Sequence, residues 1–274
     1  MVTAAPNAIK QGEKMGKYSY ESAINSAENH AIISQYTDLY ALKKIIGNKC
    51  LRFTRVDELN DLVENQNMHD LWKKKVYVSC FTYREHESYF FWSTYCKCNP
   101  WGVLISFQTN TLQKLSFYPD EQCKEIPLVK CQQTIQNSPF SENISADTWG
   151  IYDYSCVDIA YIPRDTDFKE IEHFQGRIKY HEWDMECETR LRVAIRPKCL
   201  ELKHQRGKAD IYLRPTNKYL YAELPSECLE TMTITLSPFG NHASLKDEVE
   251  KLLAENGLYG KVKIIDSRLS GELK

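Results

Sequence analysis

Residues 180 to 196 read Tyr-His-Glu-Trp-Asp-Met-Glu-Cys-Glu-Thr-Arg-Leu-Arg-Val-Ala-Ile-Arg. Taken two at a time, Met185, Cys187, Thr189, Leu191, Val193 and Ile195 fall on one side, and Asp184, Glu186, Glu188, Arg190 and Arg192 on the other. Side chains alternate across a strand, so the pattern predicts a half-buried strand with an apolar side for a core. The other side carries three carboxylates and then two guanidiniums, at steps of about 7 Å from each residue to the next but one. Like charges that close raise one another's pKa unless a cation sits between them, and folding alone does not require the arrangement. The rival local reading is a helix, with Glu186–Arg190 and Glu188–Arg192 as ion pairs four residues apart. The run into Val193-Ala-Ile195 and the stop at Pro197 favour the strand. An ordinary solvated charged face is the alternative to a site, and the rest of the chain must separate the two.

The chain has 274 residues and a net charge of -2. That length suits one large domain or two small ones and can bury a sizeable core. Hydrophobic residues make up 42% and charged residues 26%, which is the balance of a soluble globular protein. The near-zero charge gives no bulk attraction to nucleic acid or anionic lipid, although it leaves room for local basic patches. The start, Met1 to Asn7, lacks the basic-then-apolar pattern of a secretory signal, and no apolar run reaches membrane-spanning length. A cytoplasmic, reducing compartment is therefore expected, with no membrane partner, and the 10 cysteines are expected as free thiols. Cys96-Lys-Cys98 is the one close pair and has no second pair to match it. Cys123 and Cys131 sit in a polar stretch. No metal site is expected.

Working outward along the chain, residues 1–30 read as a loosely ordered arm with a short helix over Ser19 to Glu28, and 31–274 as a single domain. Ile32 to Tyr36 is a strand. Asp38 stands at an N-cap position before Leu39, Leu42, Ile45 and Ile46 at helical spacing, and Gly47-Asn48 ends that helix. Cys50 to Thr54 is a second strand, and residues 62–75 are helical. Val76 to Phe81 and Val103 to Phe107 are strong strands, with a helix over Glu85 to Tyr95 between them. Residues 109–155 form an elaborated loop region. Val157 to Tyr161 is a strand ended by Pro163, and a weak helix covers 167–178. Further strands fall at Ile211 to Leu213, Tyr219 to Glu223, Met232 to Leu236 and Val262 to Ile265. A helix capped by Ser244 runs from Leu245 to Asn256, and Gly257 ends it. Strands and helices are interspersed without regular crossover spacing, which predicts an α+β fold with a largely antiparallel sheet and one core.

Several motifs resemble, in order and spacing, a large bacterial domain-of-unknown-function family. Its pattern runs Tyr-Lys/Arg-Tyr, Leu-Arg-Phe-Ser-x-Pro, Phe-Asn-Asp-Pro, Ser-Cys-Phe-Ser, Met-Trp-Ser-His-Tyr-Ala, Gly-Val-Cys-Ile-x-Phe and Trp-x-x-Glu-x-Glu-x-Arg. The corresponding stretches are Gln35-Tyr36-Thr37, Leu51-Arg-Phe-Thr54, Leu59-Asn60-Asp61, Ser79-Cys-Phe-Thr82, Phe91-Trp-Ser-Thr-Tyr95, Gly102 to Phe107, and Trp183-x-x-Glu186-x-Glu188-x-Arg190. Together they span roughly residues 32 to 268. Gln35 stands where the family has a basic residue, Leu62 replaces a proline, Phe91 a methionine and Thr94 a histidine.

That family looks like a distant branch of the ADP-ribosyltransferase superfamily, so the resemblance implies an ADP-ribosyltransferase-like split sheet with flanking helices. It implies NAD as the substrate, with Gln35, Tyr36 and Thr37 holding the adenosine-side ribose or the amide and Tyr95 stacked on nicotinamide. Glu188 would be the catalytic carboxylate and Glu186 would orient the acceptor. Arg190 would keep the carboxylates ionised or bind a pyrophosphate. Cleaving the nicotinamide–ribose bond develops positive charge on the ribose, which is why a carboxylate and an aromatic face are wanted there. The acceptor would be protein, RNA or DNA. The family's occurrence suggests a bacterial toxin or antiphage effector with an antitoxin or inhibitor protein as partner. Lys73 to Lys75 and Lys203 to Lys208 would suit a single-stranded nucleic acid. Two other readings compete. One is a metal-dependent nuclease that binds magnesium on the Asp184, Glu186, Glu188 row. The other is a dinucleotide-sensing module without turnover.

Overall fold

The computed structural model describes residues 30–59, 73–113, 115–118, 149–164, 176–197, 217–240 and 242–272. The expected arm up to residue 29, residues 62–72 of the expected helix, most of the 109–155 region, Lys203 to Lys208 and the strand at Ile211 to Leu213 lie outside those residues.

The fold is mixed α+β, built on a mostly antiparallel sheet. Among the described residues the strands are β1 (Ile32–Asp38), β2 (Cys50–Arg55), β3 (Val76–Thr82), β4 (Gly102–Gln108), β5 (Ser116–Tyr118), β6 (Trp149–Asp158), β7 (Ala160–Ile162), β8 (Ile178–Tyr180), β9 (Glu188–Pro197), β10 (Tyr219–Glu223), β11 (Thr233–Leu236) and β12 (Lys263–Asp266). Ten of them join in the order β12-β11-β4-β1-β3-β2-β10-β5, with β9 paired to β3 and β6 to β9. β7 and β8 form a separate two-stranded parallel sheet, and β11–β12 is the other parallel pair. The helices are α1 (Leu39–Asn48), α2 (Tyr89–Thr94), α3 (Ser226–Thr231) and α4 (His242–Glu255).

The main core lies between one face of the sheet and helices α1 and α4. Leu42 and Ile46 of α1 and Val249 and Leu253 of α4 meet Ile33, Phe53, Ile105, Leu191 and Val193, all buried. Each such side chain contributes about 1.5–3 kcal/mol relative to exposure. Asp38 caps α1 as expected, its Oδ1 accepting from the Ala41 N–H at 2.8 Å. The helix ends at Asn48, as Gly47-Asn48 implies, with Lys49 taking the left-handed cap (φ 51) and its N–H bonding back to Ile45 and Ile46. The second sheet face is buried in patches, by Val56, Val76, Val78 and Ala194 and by Trp92, Cys96 and Leu104.

Three expectations are corrected. The strand expected from Asp184 starts only at Glu188. Residues His181–Glu186 form a 3-10 turn, and Cys187 breaks the alternation with a left-handed backbone (φ 43). Met185 is therefore exposed rather than in the core. The helix expected to end at 178 cannot reach it, since Gly176 is left-handed and Ile178 begins β8. The helix expected over Glu85 to Tyr95 is cut to α2, where Trp92 is fully buried and its Nε1 donates to Glu87 Oε2 at 3.1 Å. Two strands also emerge within the region read as a loop, at β5 and at the start of β6, and α4 begins at His242, ahead of Ser244.

One feature of the sheet positions the site. β1 pairs with β4 along its whole length, from Ile32 opposite Gln108 to Asp38 opposite Gly102. β3 pairs with β9 along its whole length, from Val76 opposite Ala194 to Thr82 opposite Glu188. β1 and β3 share a single register pair, Ser34 and Thr82. Past that point the two strands part.

Candidate active site

The parting of β1 and β3 opens a cleft of about 450 Å³, within the range of small-molecule sites. Gln35, Tyr36 and Thr37 line one lip, Arg52 of β2 and Tyr221 of β10 stand further along, and Cys80 of β3 lies opposite. A side chain bridges the seam where Gln35 Nε2 donates to the Cys80 carbonyl at 3.0 Å. A larger cleft of about 850 Å³ lies near His30, Thr109 and Cys156. None of the expected site residues lines it.

Behind Cys80 lies a buried charged network. β9 presents Glu188, Arg190 and Arg192 to the second sheet face, because Leu191, Val193 and Ile195 turn into the main core. Glu188 is only 4% exposed, Glu186 5% and Arg190 1%. Arg190 grips Glu188 with Nε at 2.6 Å from Oε1 and Nη2 at 3.3 Å from Oε2, and its Nη1 donates to the Gly176 carbonyl at 3.0 Å. Lys179 on β8 lies 2.7 Å from Glu188 Oε2 and 2.7 Å from Glu186 Oε2. The Tyr95 hydroxyl donates to the other oxygen of Glu186. The backbone N–H of Glu188 donates to the Tyr161 hydroxyl at 2.8 Å. Thr82 Oγ1 donates to the Glu186 carbonyl at 2.8 Å, fastening the turn to β3.

The electrostatics follow from this geometry. Burial pushes the Glu188 carboxyl up, but Arg190 and Lys179 outweigh it and hold the group at about 2. Burial pulls Lys179 down, yet Glu188 and Glu186 more than restore it, so its pKa is raised. Burial raises the Tyr95 hydroxyl, and the Glu186 carboxylate that it donates to raises it further. Cys80 is raised by burial first and then by Glu188 beside it.

The expected site residues thus fall into two groups. Gln35, Tyr36 and Thr37 line the cleft. Tyr95, Glu186, Glu188 and Arg190 form the network behind it. Cys80 joins them, lining the cleft, accepting from Gln35 and standing against Glu188. A chain of rings joins them a second time. Tyr36 meets Phe91 at 5.2 Å and Phe91 meets Tyr95 at 5.6 Å, both edge-to-face. The Tyr36 hydroxyl accepts from the Ser88 N–H at 2.9 Å and is raised to about 12, mainly by burial. Tyr95 is 49% exposed although its hydroxyl reaches the buried Glu186.

Two role assignments change with this geometry. The Arg190 guanidinium is enclosed against Glu188 and Gly176, so it holds the carboxylate ionised and is not placed to meet a pyrophosphate. Asp184, Glu186 and Glu188 do not form a row, because Asp184 sits on the exposed turn while the two glutamates point inward onto Lys179. Among the described residues no group of three or more His, Cys, Asp or Glu side chains is arranged to hold a metal ion. Lys179 and Tyr161 complete the network and carry no motif of their own, whereas Cys80 lies in the Ser79-Cys-Phe-Thr82 stretch, to which the resemblance attaches no site role. No local pattern marks Lys179, whose contacts with Glu186 and Glu188 arise from the placing of β8.

No helix among the described residues is long and apolar enough to cross a membrane. No protein-family model matches the chain, and no curated protein and no solved structure matches it either.

Proposed function

We propose that the chain is an NAD-dependent mono-ADP-ribosyltransferase that modifies a macromolecular acceptor. The observation that supports this reading is the contact of Cys80 with both groups, which sets the cleft lined by Gln35, Tyr36 and Thr37 against the carboxylate of Glu188. In the reaction the bond between nicotinamide nitrogen and ribose C1′ breaks and its electron pair leaves with nicotinamide. Positive charge spreads over C1′ and the ring oxygen, and a carboxylate stabilises it. The acceptor nucleophile then bonds to C1′ and releases its proton. Glu188 supplies the stabilising charge, Glu186 aligns the acceptor, and Tyr95 offers a face to nicotinamide. Arg190 and Lys179 are positioning residues that hold Glu188 ionised, and Lys179 also fixes the direction of Glu186. The fold-level analogy and the bacterial toxin or antiphage role, with its inhibitor partner, rest on the motif resemblance alone.

A second reading has its own support. Glu188 is already paired with two cations and nearly enclosed, which suits a module that binds the dinucleotide without turning it over.

The test uses purified protein with isotopically labelled NAD and Glu188→Gln as control, with NAD binding measured for both. Label is followed onto cellular protein, RNA and DNA separately, with and without chelator. The transferase reading expects label on one class, resistant to chelator and lost in the variant. Saturable NAD binding with no nicotinamide released supports the sensing module. Chelator-sensitive nucleic-acid cleavage with no label rejects both readings.

A further inference from the structure

The second face of β9 continues beyond the Glu188 network to Arg192, where a different balance holds. Asp153 Oδ2 accepts from Arg192 Nη1 at 2.7 Å and stands 3.6 Å from Arg177 Nη2. One carboxylate is shared by two guanidiniums. The side chains of Arg177 and Arg192 are 20% and 9% exposed, against 40% for Asp153. The cations lie inside and the carboxylate lies over them, facing solvent.

That sharing leaves donors unmet. The Nε–H of Arg177 is buried and finds no acceptor among the described residues, and the same is true of the Ser155 hydroxyl. Register puts Ser155 opposite Arg192, two residues from Asp153 and on the same face of β6. Buried donors without partners are rare and costly, and each one asks for an explanation. Burial first, and then the neighbouring Arg177, pull Arg192 down to about 10, against the opposing pull of Asp153.

We infer that Arg177, Arg192 and Ser155 form an anion site that takes a phosphate group, with Asp153 as the internal occupant that phosphate displaces. The geometry favours phosphate over carboxylate. A carboxylate offers two oxygens in one plane, and Asp153 leaves Arg177 Nε and the Ser155 hydroxyl unserved. A phosphate offers more acceptor oxygens, spread tetrahedrally, so that Arg177, Arg192 and the Ser155 hydroxyl can be served together. Displacement is feasible because Asp153 is the most exposed member of the group. Arg177 lies two residues before Lys179 in sequence, so the site adjoins the carboxylate network but shares no side chain with it. The inference does not depend on the transferase reading.

The test measures binding of inorganic phosphate by calorimetry and by thermal stabilisation at constant ionic strength, with chloride as the reference anion. Wild-type protein is expected to give a saturable response to phosphate. Arg177→Gln is expected to weaken it by roughly tenfold or more, as loss of a charge-assisted bond does. Asp153→Asn is expected to tighten it, since the internal competitor loses its charge. An absent response in the wild type, or one unchanged in Arg177→Gln, overturns the inference. If Arg177→Gln does not fold, Asp153→Asn decides alone, and binding no tighter than wild type overturns it. NAD displaced competitively by phosphate assigns the site to the pyrophosphate of the dinucleotide. A phosphate response indifferent to NAD assigns it to a separate phosphorylated ligand.

Discussion

The ammonium of Lys179 stands 2.7 Å from Glu186 Oε2 and 2.7 Å from Glu188 Oε2, so one cation ties the 3-10 turn to the strand that follows it. Two carboxylates separated by a single residue would repel if left alone. Lys179 between them and Arg190 behind Glu188 make the arrangement stable.

Removing one member of such a buried group leaves the others unbalanced. Glu188→Gln is expected to lower the unfolding free energy by about 3–5 kcal/mol, measured by urea denaturation. Lys43→Ala breaks the exposed Lys43–Glu248 pair, whose side chains are 47% and 40% exposed, and is expected to leave the midpoint nearly where it was. Equal effects from the two substitutions would show that the network does not hold the fold.

The same group sets an acid dependence. The folded carboxyl of Glu188 lies at about 2, below an unfolded value of about 4.3. Its stabilisation is therefore complete above the unfolded value and is lost as pH falls through the folded one. Unfolding free energy plotted against pH should fall less steeply across that window in Glu188→Gln than in the wild type. Parallel curves would mean that another group carries the acid response.

Thiol reactivity should follow burial. Cys98 is exposed, whereas Cys50, Cys96 and Cys228 are buried. Burial pushes Cys96 up to about 12 and Cys228 up to about 11, and only thiolates alkylate readily. Iodoacetamide at neutral pH, read by peptide mass spectrometry, should mark Cys98 well before Cys50, Cys80, Cys96 and Cys228. Early labelling of Cys80 would show that the wall between cleft and network opens in solution.

Gly240 offers a backbone test. It sits at φ +79, and a Cβ there would collide with the Pro100 ring. Gly257 has a similar φ of +69 with nothing within 4 Å. Gly257→Ala incurs the backbone strain alone, of order 1 kcal/mol, and Gly240→Ala incurs that strain plus the collision. A melting temperature that falls further for Gly240→Ala checks the packing of the β11–α4 loop on Pro100, which lies in the turn closed by the Gly102 N–H on the Asn99 carbonyl at 2.9 Å.

Much of this was legible in the chain because local rules and tertiary packing agreed. The alternation of Leu191, Val193 and Ile195 marked β9, and Asp38 with its apolar spacing marked α1. The reading went astray where one residue changed the rule. Cys187 takes a left-handed backbone although nothing in its side chain asks for it, so Glu186 and Glu188 belong to different elements yet converge on one ammonium. Lys179 was invisible as a partner because its role depends on how β8 lies over β9, and a hydropathy pattern carries no information about that. Arg190 was recognised as a neighbour of the carboxylates, but its burial beneath the Gly176 carbonyl is a property of the packed state alone.

In most sheets the bond between neighbouring strands is a ladder of main-chain amides, indifferent to side-chain identity. Between β1 and β3 that ladder stops at Ser34 and Thr82, and beyond it the Gln35 amide reaches the Cys80 carbonyl. A side chain has taken over a backbone's task. The joint is therefore written in a codon and open to replacement by mutation, so that a change of one residue alters how the two halves of the sheet are fastened while leaving every strand intact.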